Sequence, residues 1–515
     1  MASFFTSLSN ELLYAIFDNL PNSDIKNIRL TSRFLYIVTP LKLDRVFLSS
    51  FRKDLDTLRS IAAHPVYSRQ IKEIVWDDTR LEVPKLESAE YVQRQAMILN
   101  SAQPLLDNLV ASAATSMEQQ DYLRHDYLMT VYDRLMRWDR GLWLLIRLRD
   151  EQHSILESYE DVETFRFALT AFPHLRRVTI AGHWYRPDGQ PHRFLTPLIR
   201  SLPSWLRDAW PHYCLEVPSR YKRCPHYAHD TPVSRGYHAA IRELCKSTRL
   251  ISEFVVDPTG QGVCIYDNFD ILSPPNDDFS TFIQRHPLTT LEYTLHLFQS
   301  NRNFHRNRTH LDLYRSRHIS NSYWSHILNH GPLKANLSCL DQLEHFTLSS
   351  SWQATICHVG KTVRLMDSLP AGCWSNLRSF SLRRFPLRLD DLIQFLSALP
   401  TPLLSLKLSL VFFPEIPWEQ ALPILGSTLG WTSHPHTMPK FTVELQVKEH
   451  GSKIIVLQDE LRRFFEGTAA NPFAPVPKYW DRRFGTYILT KDNQVLKGFG
   501  RVRCDIDKSY DMPWC

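Results

Sequence analysis

Cys214, Cys224, His226 and His229 fall within 16 residues and are the nearest approach to a metal-ligand set in this 515-residue chain. Tetrahedral zinc takes four such sulfur and nitrogen donors, but its sites gather them as two tight pairs. Here nine residues separate the two cysteines, and His212 adds a surplus donor in a chain that holds 22 histidines. The segment is expected to be a solvated loop, with no metal and no cofactor. The chain has no P-loop, GxGxxG, GxSxG, HExxH or paired CxxC pattern. Each of those motifs supplies a phosphate cradle, a nucleophile turn or a metal pair. Without one, no catalytic residue is expected and the chain does not read as an enzyme.

Two arginine clusters offer binding chemistry instead. Arg302, Arg306, Arg308, Arg315 and Arg317 lie in a stretch with one acid, Asp312, and are expected as a solvated basic loop. Arg378, Arg383, Arg384 and Arg388 surround an expected strand at Leu377–Leu382. Planar guanidinium groups grip carboxylate or phosphate in a two-pronged way. These four are therefore the candidate substrate-binding residues, with Arg383 and Arg384 on an exposed rim and an acidic or phosphorylated protein segment as the partner. Nucleic acid is not expected. The excess of 60 basic over 54 acidic residues leaves only +6, and no aromatic interleaving or base-reading motif accompanies it.

The elements that must position these groups recur along the chain. An apolar-x-x-apolar-x-apolar unit appears at Ile71/Ile74/Trp76, Leu175/Val178/Ile180, Ile251/Phe254/Val256 and Leu288/Leu291/Tyr293. It appears again at Leu343/Phe346/Leu348, Leu377/Phe380/Leu382 and Leu403/Leu406/Leu408. Alternation in the second half of each unit predicts a short strand with one buried face. The runs before them, such as Asp161–Phe172 and Asp390–Leu399, predict helices opened by acidic caps. Helix, turn and short strand in repetition is the plan of a leucine-rich-repeat solenoid. Gaps of 104, 76, 37, 55, 34 and 26 residues between units predict an irregular array with insertions, regular mainly toward residues 335–410. Residues 116–150 predict a packing helix within an insertion at about 100–160. Residues 186–236, rich in Pro, His, Arg and Trp, predict loops. Residues 451–515 predict a C-terminal cap with a β-hairpin pairing Tyr487–Leu489 with Gln494–Leu496.

The N-terminus has a different pattern. Leu12, Leu13, Ile16, Phe17 and Leu20 make one stripe of an amphipathic helix. Ser9 can cap its start, and Pro21 ends it. Asp24 is expected to cap a second helix carrying Ile25, Ile28, Leu30 and Phe34. The order Leu8-x-x-Glu11-Leu12-Leu13-x-x-Ile16-Phe17-x-x-Leu20, then Asp24-Ile25-x-x-Ile28-Arg29-Leu30-x-Ser32-Arg33-x-Leu35, resembles an F-box. The family has Pro after its first Leu, where this chain has Ser9, whose capping oxygen can substitute. The resemblance covers about 40 residues. It implies docking to a Skp-type adaptor, and through it to a cullin–RING ubiquitin ligase, by Leu8, Leu12, Ile16, Phe17, Leu20, Ile25 and Leu30.

The expected architecture is thus α/β: an all-α F-box at 1–50, then an irregular leucine-rich-repeat-like, substrate-binding solenoid at 60–450. At 515 residues, 43% hydrophobic and 22% charged, the chain is globular and too long for one ordinary core. Nine unpaired-looking cysteines suit a reducing compartment, and neither a signal peptide nor a membrane span is evident. A cytoplasmic or nuclear substrate-receptor subunit is the expectation. The alternatives are an adaptor-bound scaffold outside any ligase and a basic polyanion-binding scaffold.

Overall fold

The computed structural model describes residues 8–17, 19–39, 41–81, 143–181, 196–202, 235–257, 263–264, 277–296, 333–350, 363–446, 454–473, 480–481, 486–487 and 501–503. It begins with three short helices, α1 (Asn10–Phe17), α2 (Asn22–Thr31) and α3 (Arg33–Val38). Pro21, with extended backbone, opens α2, so Asp24 lies inside the first turn rather than at the cap expected for it. The expected second helix is also two helices. Ser32 takes an extended conformation between them, and its hydroxyl accepts the Phe34 N–H.

After these helices the chain forms one mixed α/β unit around a mostly parallel open sheet. The strands are β1 (Arg45–Ser49), β2 (Glu73–Asp77), β3 (Arg177–Ala181), β4 (Glu253–Val256), β5 (Val263–Cys264), β6 (Thr290–His296) and β7 (His345–Ser350). They continue with β8 (Ser379–Arg383), β9 (Ser405–Ser409), β10 (Lys440–Gln446), β11 (Ile454–Leu457) and, after the small β12 (Trp480–Asp481) and β13 (Thr486–Tyr487) pair, β14 (Arg501–Arg503). In the sheet each strand lies beside its predecessor in the chain, β1-β2-β3-β4-β6-β7-β8-β9-β10-β11-β14, with β5 also pairing β6. Pairing is parallel through β10 and antiparallel at β11 and β14.

Right-handed crossovers that always advance in the same direction place their helices on a single side of a sheet. The connecting helices are α4 (Arg52–Ala63), the helical residues 143–158 (α5), α6 (Glu160–Ala171), α7 (Pro197–Ser201), α8 (Arg235–Lys246), α9 (Asp277–Arg285) and α10 (Leu333–Leu337). Then come α11 (Leu365–Ser368), α12 (Leu389–Ser397), α13 (Trp418–Thr428) and α14 (Asp459–Phe465). Apolar residues of all these helices except α7 share one continuous core with the second and fourth residues of the strands.

All seven sequence units form strands here, and their apolar residues are buried. Two further units, Leu43/Val46/Leu48 and Met438/Phe441/Val443, obey the same pattern at β1 and β10 and extend the array at both ends. The register is uniform. One row reads Val46, Ile74, Val178, Phe254, Leu291, Phe346, Phe380, Leu406, Phe441 from strand to strand. Fully burying each such side chain contributes about 1.5–3 kcal/mol. A backbone device repeats with it: the carbonyl one residue before the strand accepts two successive N–H groups of the next unit. Asp44, Lys72, Arg176, Ser252, Thr289, Glu344 and Arg378 all do so. The repeat is therefore regular where the strands meet, although the intervening lengths are not.

The acids expected to cap helices do something else. The helix at Glu160–Ala171 starts after Tyr159 and the one at Leu389–Ser397 after Arg388, neither with a side-chain cap. Asp161 is fully buried and bound by Arg235, which ties its helix to a neighbouring unit. Asp390 lies 3.9 Å from Arg388, and it is the next residue, Asp391, that accepts the Leu365 N–H opening α11. Residues expected only as insertion loops include α7, and helical residues 143–158 contribute Leu145, Leu148 and Ile155 to buried positions. Tyr487 pairs with Trp480, and the expected partner strand at 494–496 lies outside the described residues.

Candidate functional site

The three N-terminal helices bury little and expose much. Leu13, Phe17 and Leu35 form a small core, with Leu8, Leu20, Ile28 and Val38 packed against it, and Ile25 is fully buried as well. Leu12 and Ile16, one residue before Leu13 and Phe17, therefore face outward, since i and i+4 share a helix face. Leu12 is 55% and Leu30 86% exposed, the latter the most exposed large apolar side chain among the described residues. Tyr14, Phe34, Tyr36 and Ile37 are exposed as well. Seven of the thirteen exposed large apolar side chains among the described residues thus sit between residues 12 and 37, far more than scatter would give.

This unit is fastened to the sheet by polar contacts. Asn22 and Lys42 exchange two hydrogen bonds, the Asn22 Nδ2 donating to the Lys42 carbonyl at 2.8 Å and the Lys42 N–H to Asn22 Oδ1 at 2.9 Å. Lys42 Nζ donates to the Leu20 carbonyl at 3.1 Å. Arg29 donates to the Thr39 carbonyl at 2.8 Å and the Tyr67 hydroxyl at 3.3 Å, and lies 4.2 Å over the Tyr36 ring. Of the seven residues expected to dock a partner, Leu12, Ile16 and Leu30 are available. Phe17 and Ile25 are interior, at 4% and 0% exposure, and Leu8 and Leu20 pack against that interior. The helical period alone cannot say which of two adjacent stripes turns inward.

The second candidate surface is the sheet face opposite the helical core, formed by the first, third and fifth strand residues. Across β1–β4 it carries alternating charge. Arg45 and Glu73 are 2.5 Å apart, Glu73 and Arg177 3.1 Å, and Arg177 and Glu253 3.1 Å, with Glu292 3.7 Å from Arg177. These charges neutralise one another. Phe47, Val75 and Ala181 form a small apolar cluster on the same side, and the Arg200 guanidinium lies 5.5 Å over the Phe47 ring. From β6 to β10 the face changes to hydroxyls, including Thr347, Ser349, Ser381, Ser409 and Thr442, among which stand Arg383, Lys407 and Glu444. Lys407 meets Glu444 at 2.6 Å, and the Ser409 hydroxyl donates to Glu444 at 2.6 Å. Burial raises the Glu444 pKa, but Lys407, Ser409 and Arg383 hold it below the usual carboxylate value.

No family model matches this chain, and no curated protein matches it.

The four candidate substrate-binding arginines do not form one patch. Arg378 precedes β8 and lies 4.0 Å from Glu344, about 16 Å along the strand from Arg383. Arg388 opens α12 near Asp390 and Glu415, at 3.9 and 3.7 Å. Arg384, expected on an exposed rim, is buried at 7%. Its left-handed backbone (φ 61°) turns the chain off the strand, and its N–H donates to the Ser409 carbonyl at 2.9 Å. Only Arg383 stands on the polar face. Lys407 and Glu444, its functional neighbours, escape sequence reasoning, because cross-strand rows emerge only after the strands are aligned. The Cys214–His229 segment and the Arg302–Arg317 cluster lie outside the described residues.

A third feature is a buried polar network at the carboxyl ends of β1–β3. Asp54, bonded to the Ser49 hydroxyl at 2.5 Å, and Asp77 and Asp78 are each pushed up to about 6, in every case chiefly by burial. Asp78 binds Arg80 and accepts the Gly236 N–H at 2.7 Å. A Cβ on Gly236 would stand 2.6 Å from Asp78 Cγ, so only glycine fits. Asp161 takes two bonds from Arg235. The network holds the start of α8 to β2 and α6. Among the described residues no cluster of His, Cys, Asp and Glu could hold a metal ion, and no helix is long and apolar enough to cross a membrane.

Proposed function

We propose that this chain is the substrate-receptor subunit of a Skp–cullin–F-box ubiquitin ligase. Residues 1–50 would act as an F-box that docks a Skp-type adaptor, and the strand array would be an irregular leucine-rich-repeat-like solenoid that holds a protein substrate. The observation that carries the reading is the outward apolar surface of α1–α3, with Leu12, Ile16 and Leu30 exposed at positions of the F-box-like pattern. An apolar surface of this density on a small helical unit matches a partner-docking patch. The strand order, each strand beside its predecessor with one strand per unit, supports the solenoid half.

In this role the chain supplies no reacting group. Its contribution is proximity: a lysine of the bound substrate is held near the conjugating enzyme, which turns an encounter between two molecules into one within a complex. The test is co-purification of the full-length chain with a Skp-type adaptor, comparing wild type with Leu12→Asp/Leu30→Asp. Both side chains lie outside the helical core, so the variant should keep its helix content and melting temperature while losing the adaptor. Retention of the adaptor by the folded variant overturns the proposal.

A further inference from the structure

Two exposed cysteines occupy matching turns of adjacent units. The β7–β8 register places His345 beside Ser379 and Leu348 beside Leu382, a fixed offset of 34 residues, and the same offset separates Cys339 from Cys373. The backbone around them repeats as well. The Cys339 N–H donates to the Asn336 carbonyl at 3.2 Å, and the Cys373 N–H to the Pro370 carbonyl at 2.9 Å. The next residues do likewise, Leu340 to the Leu337 carbonyl at 3.2 Å and Trp374 to the Ala371 carbonyl at 3.4 Å. Leu340 and Trp374 turn into the core, while both cysteines stay exposed with free thiols.

Side chains of the second turn clasp the first on either side of Cys339. The Trp374 indole Nε1 donates to the Leu337 carbonyl at 3.2 Å, two residues before it. Asn376 Nδ2 donates to the Asp341 carbonyl at 2.9 Å, two residues after it. Neighbouring parallel units are about 4.8 Å apart at their strands, and a disulfide joins Cα atoms about 4.4–6.8 Å apart. Stacked turns fastened at both flanks hold their cysteines near that span. The Cys339 Sγ lies 4.0 Å from the Ala335 carbonyl, a contact too long to fix its rotamer, and exposed side chains change rotamer readily. Cys245 is the contrast. It is partly buried, its thiol donates to the Asp278 carbonyl at 3.2 Å, and burial pushes that thiol up to about 11. Such a thiol yields little of the reactive thiolate at neutral pH.

We propose that Cys339 and Cys373 are a redox-switched staple, a disulfide when oxidised, that fastens the β7 unit to the β8 unit. Glutathione disulfide is a sufficient oxidant. One cysteine thiolate attacks it, forming a mixed disulfide and releasing one glutathione. The second thiolate attacks the protein sulfur of that mixed disulfide and releases the other. Two protein thiols are oxidised to one disulfide, and glutathione disulfide is reduced to two glutathiones. The bond closes a loop between residues 339 and 373 and so restricts the unfolded chain.

The test equilibrates the full chain in glutathione buffers from reduced to oxidised, blocks thiols with N-ethylmaleimide and digests with trypsin for mass spectrometry. The peptides 335–361 and 365–378 should be found joined, with fragment ions placing the bond at Cys339 rather than at Cys357. Oxidised wild type should melt a few degrees above the reduced chain, about what one such loop closure gives. Cys339→Ser and Cys373→Ser should each abolish that difference, and in Cys339→Ser the remaining Cys373 should carry glutathione. Cysteines that stay alkylated, or that each carry glutathione with no bond between them, overturn the pairing. A bond that forms without any rise in melting temperature overturns the stapling role. None of these readouts depends on adaptor docking.

Discussion

The N-terminal helices and the strand array dispose of apolar residues in opposite ways. In the array, strands β1–β4 and β6–β10 send their second and fourth residues into one core shared with the crossover helices other than α7, and Phe254, Phe346 and Phe380 are covered almost completely. In α1–α3, three residues make the core cluster and seven large apolar side chains remain outside. An array element has a neighbouring strand on either side and a helix over one face. A unit of three short helices has too few residues to enclose its own stripe. The array thus encloses its apolar residues, whereas the helical unit leaves an apolar surface exposed.

Substitutions in either region test this contrast, and those in the array should cost most. Phe380→Ala, in the middle of the core row, should cost about 3–5 kcal/mol in denaturant unfolding. A loss under about 1 kcal/mol would mean that the row is not a continuous core. Arg235→Ala leaves Asp161 charged and buried without its cation and should cost a similar amount, about 3–5 kcal/mol. Recovery in an Arg235→Ala/Asp161→Asn double variant would identify the unpaired charge as the cause.

Next in size is a pH effect. Asp54, Asp77 and Asp78 have folded-state pKa values raised to about 6, above the ordinary 3.8 of the unfolded chain. The folded state therefore takes up protons before the unfolded state does, and stability should rise as pH falls from about 6.5 toward about 4.5. His286, lowered to about 4 mainly by burial, opposes this, because the unfolded chain protonates first. Each group has a limiting slope of about 1.4 kcal/mol per pH unit, so three acids against one histidine give a net gain in the upper part of this window. Glu160, Glu243 and Glu444, held below the usual carboxylate value, oppose it as pH approaches about 4.5. Asp77→Asn should flatten the curve measured by chemical denaturation, and a wild-type stability that falls across this window would contradict the network. The smallest stability effect belongs to Leu12→Asp/Leu30→Asp, within about 0.5 kcal/mol, because neither side chain is in a core. A cooperative loss of the α1–α3 helices in circular dichroism would show that the exposed stripe is structural after all.

Much of the array is legible in the chain. Apolar-x-x-apolar-x-apolar marks seven strands correctly, because a short strand with one buried face must alternate. The ends at Leu43 and Met438 carry the same mark and are hidden by the expectations of an all-α unit over residues 1–50 and of an array regular mainly toward residues 335–410. Less of the candidate site is legible. The exposed stripe shows up as amphipathicity, but the assignment of Phe17 and Ile25 to the interior needs α3 and Leu35 in place. Arg384 looks like its neighbour Arg383 until a left-handed turn separates them. Acids at helix starts look like caps, yet Asp161 binds Arg235 of a neighbouring element and Asp390 caps nothing.

The alternation that makes the strands, the apolar stripes of the first helices and the F-box-like order within them are all written in the chain. These are local properties, set by the two-residue and 3.6-residue periods of the backbone. Folding alone settles which stripe faces out, which arginine stands on the polar face, and that Arg45, Glu73, Arg177 and Glu253 form one charged row. Those residues lie far apart in the chain and meet only when parallel strands come into register, so their energies belong to pairs that no local pattern records.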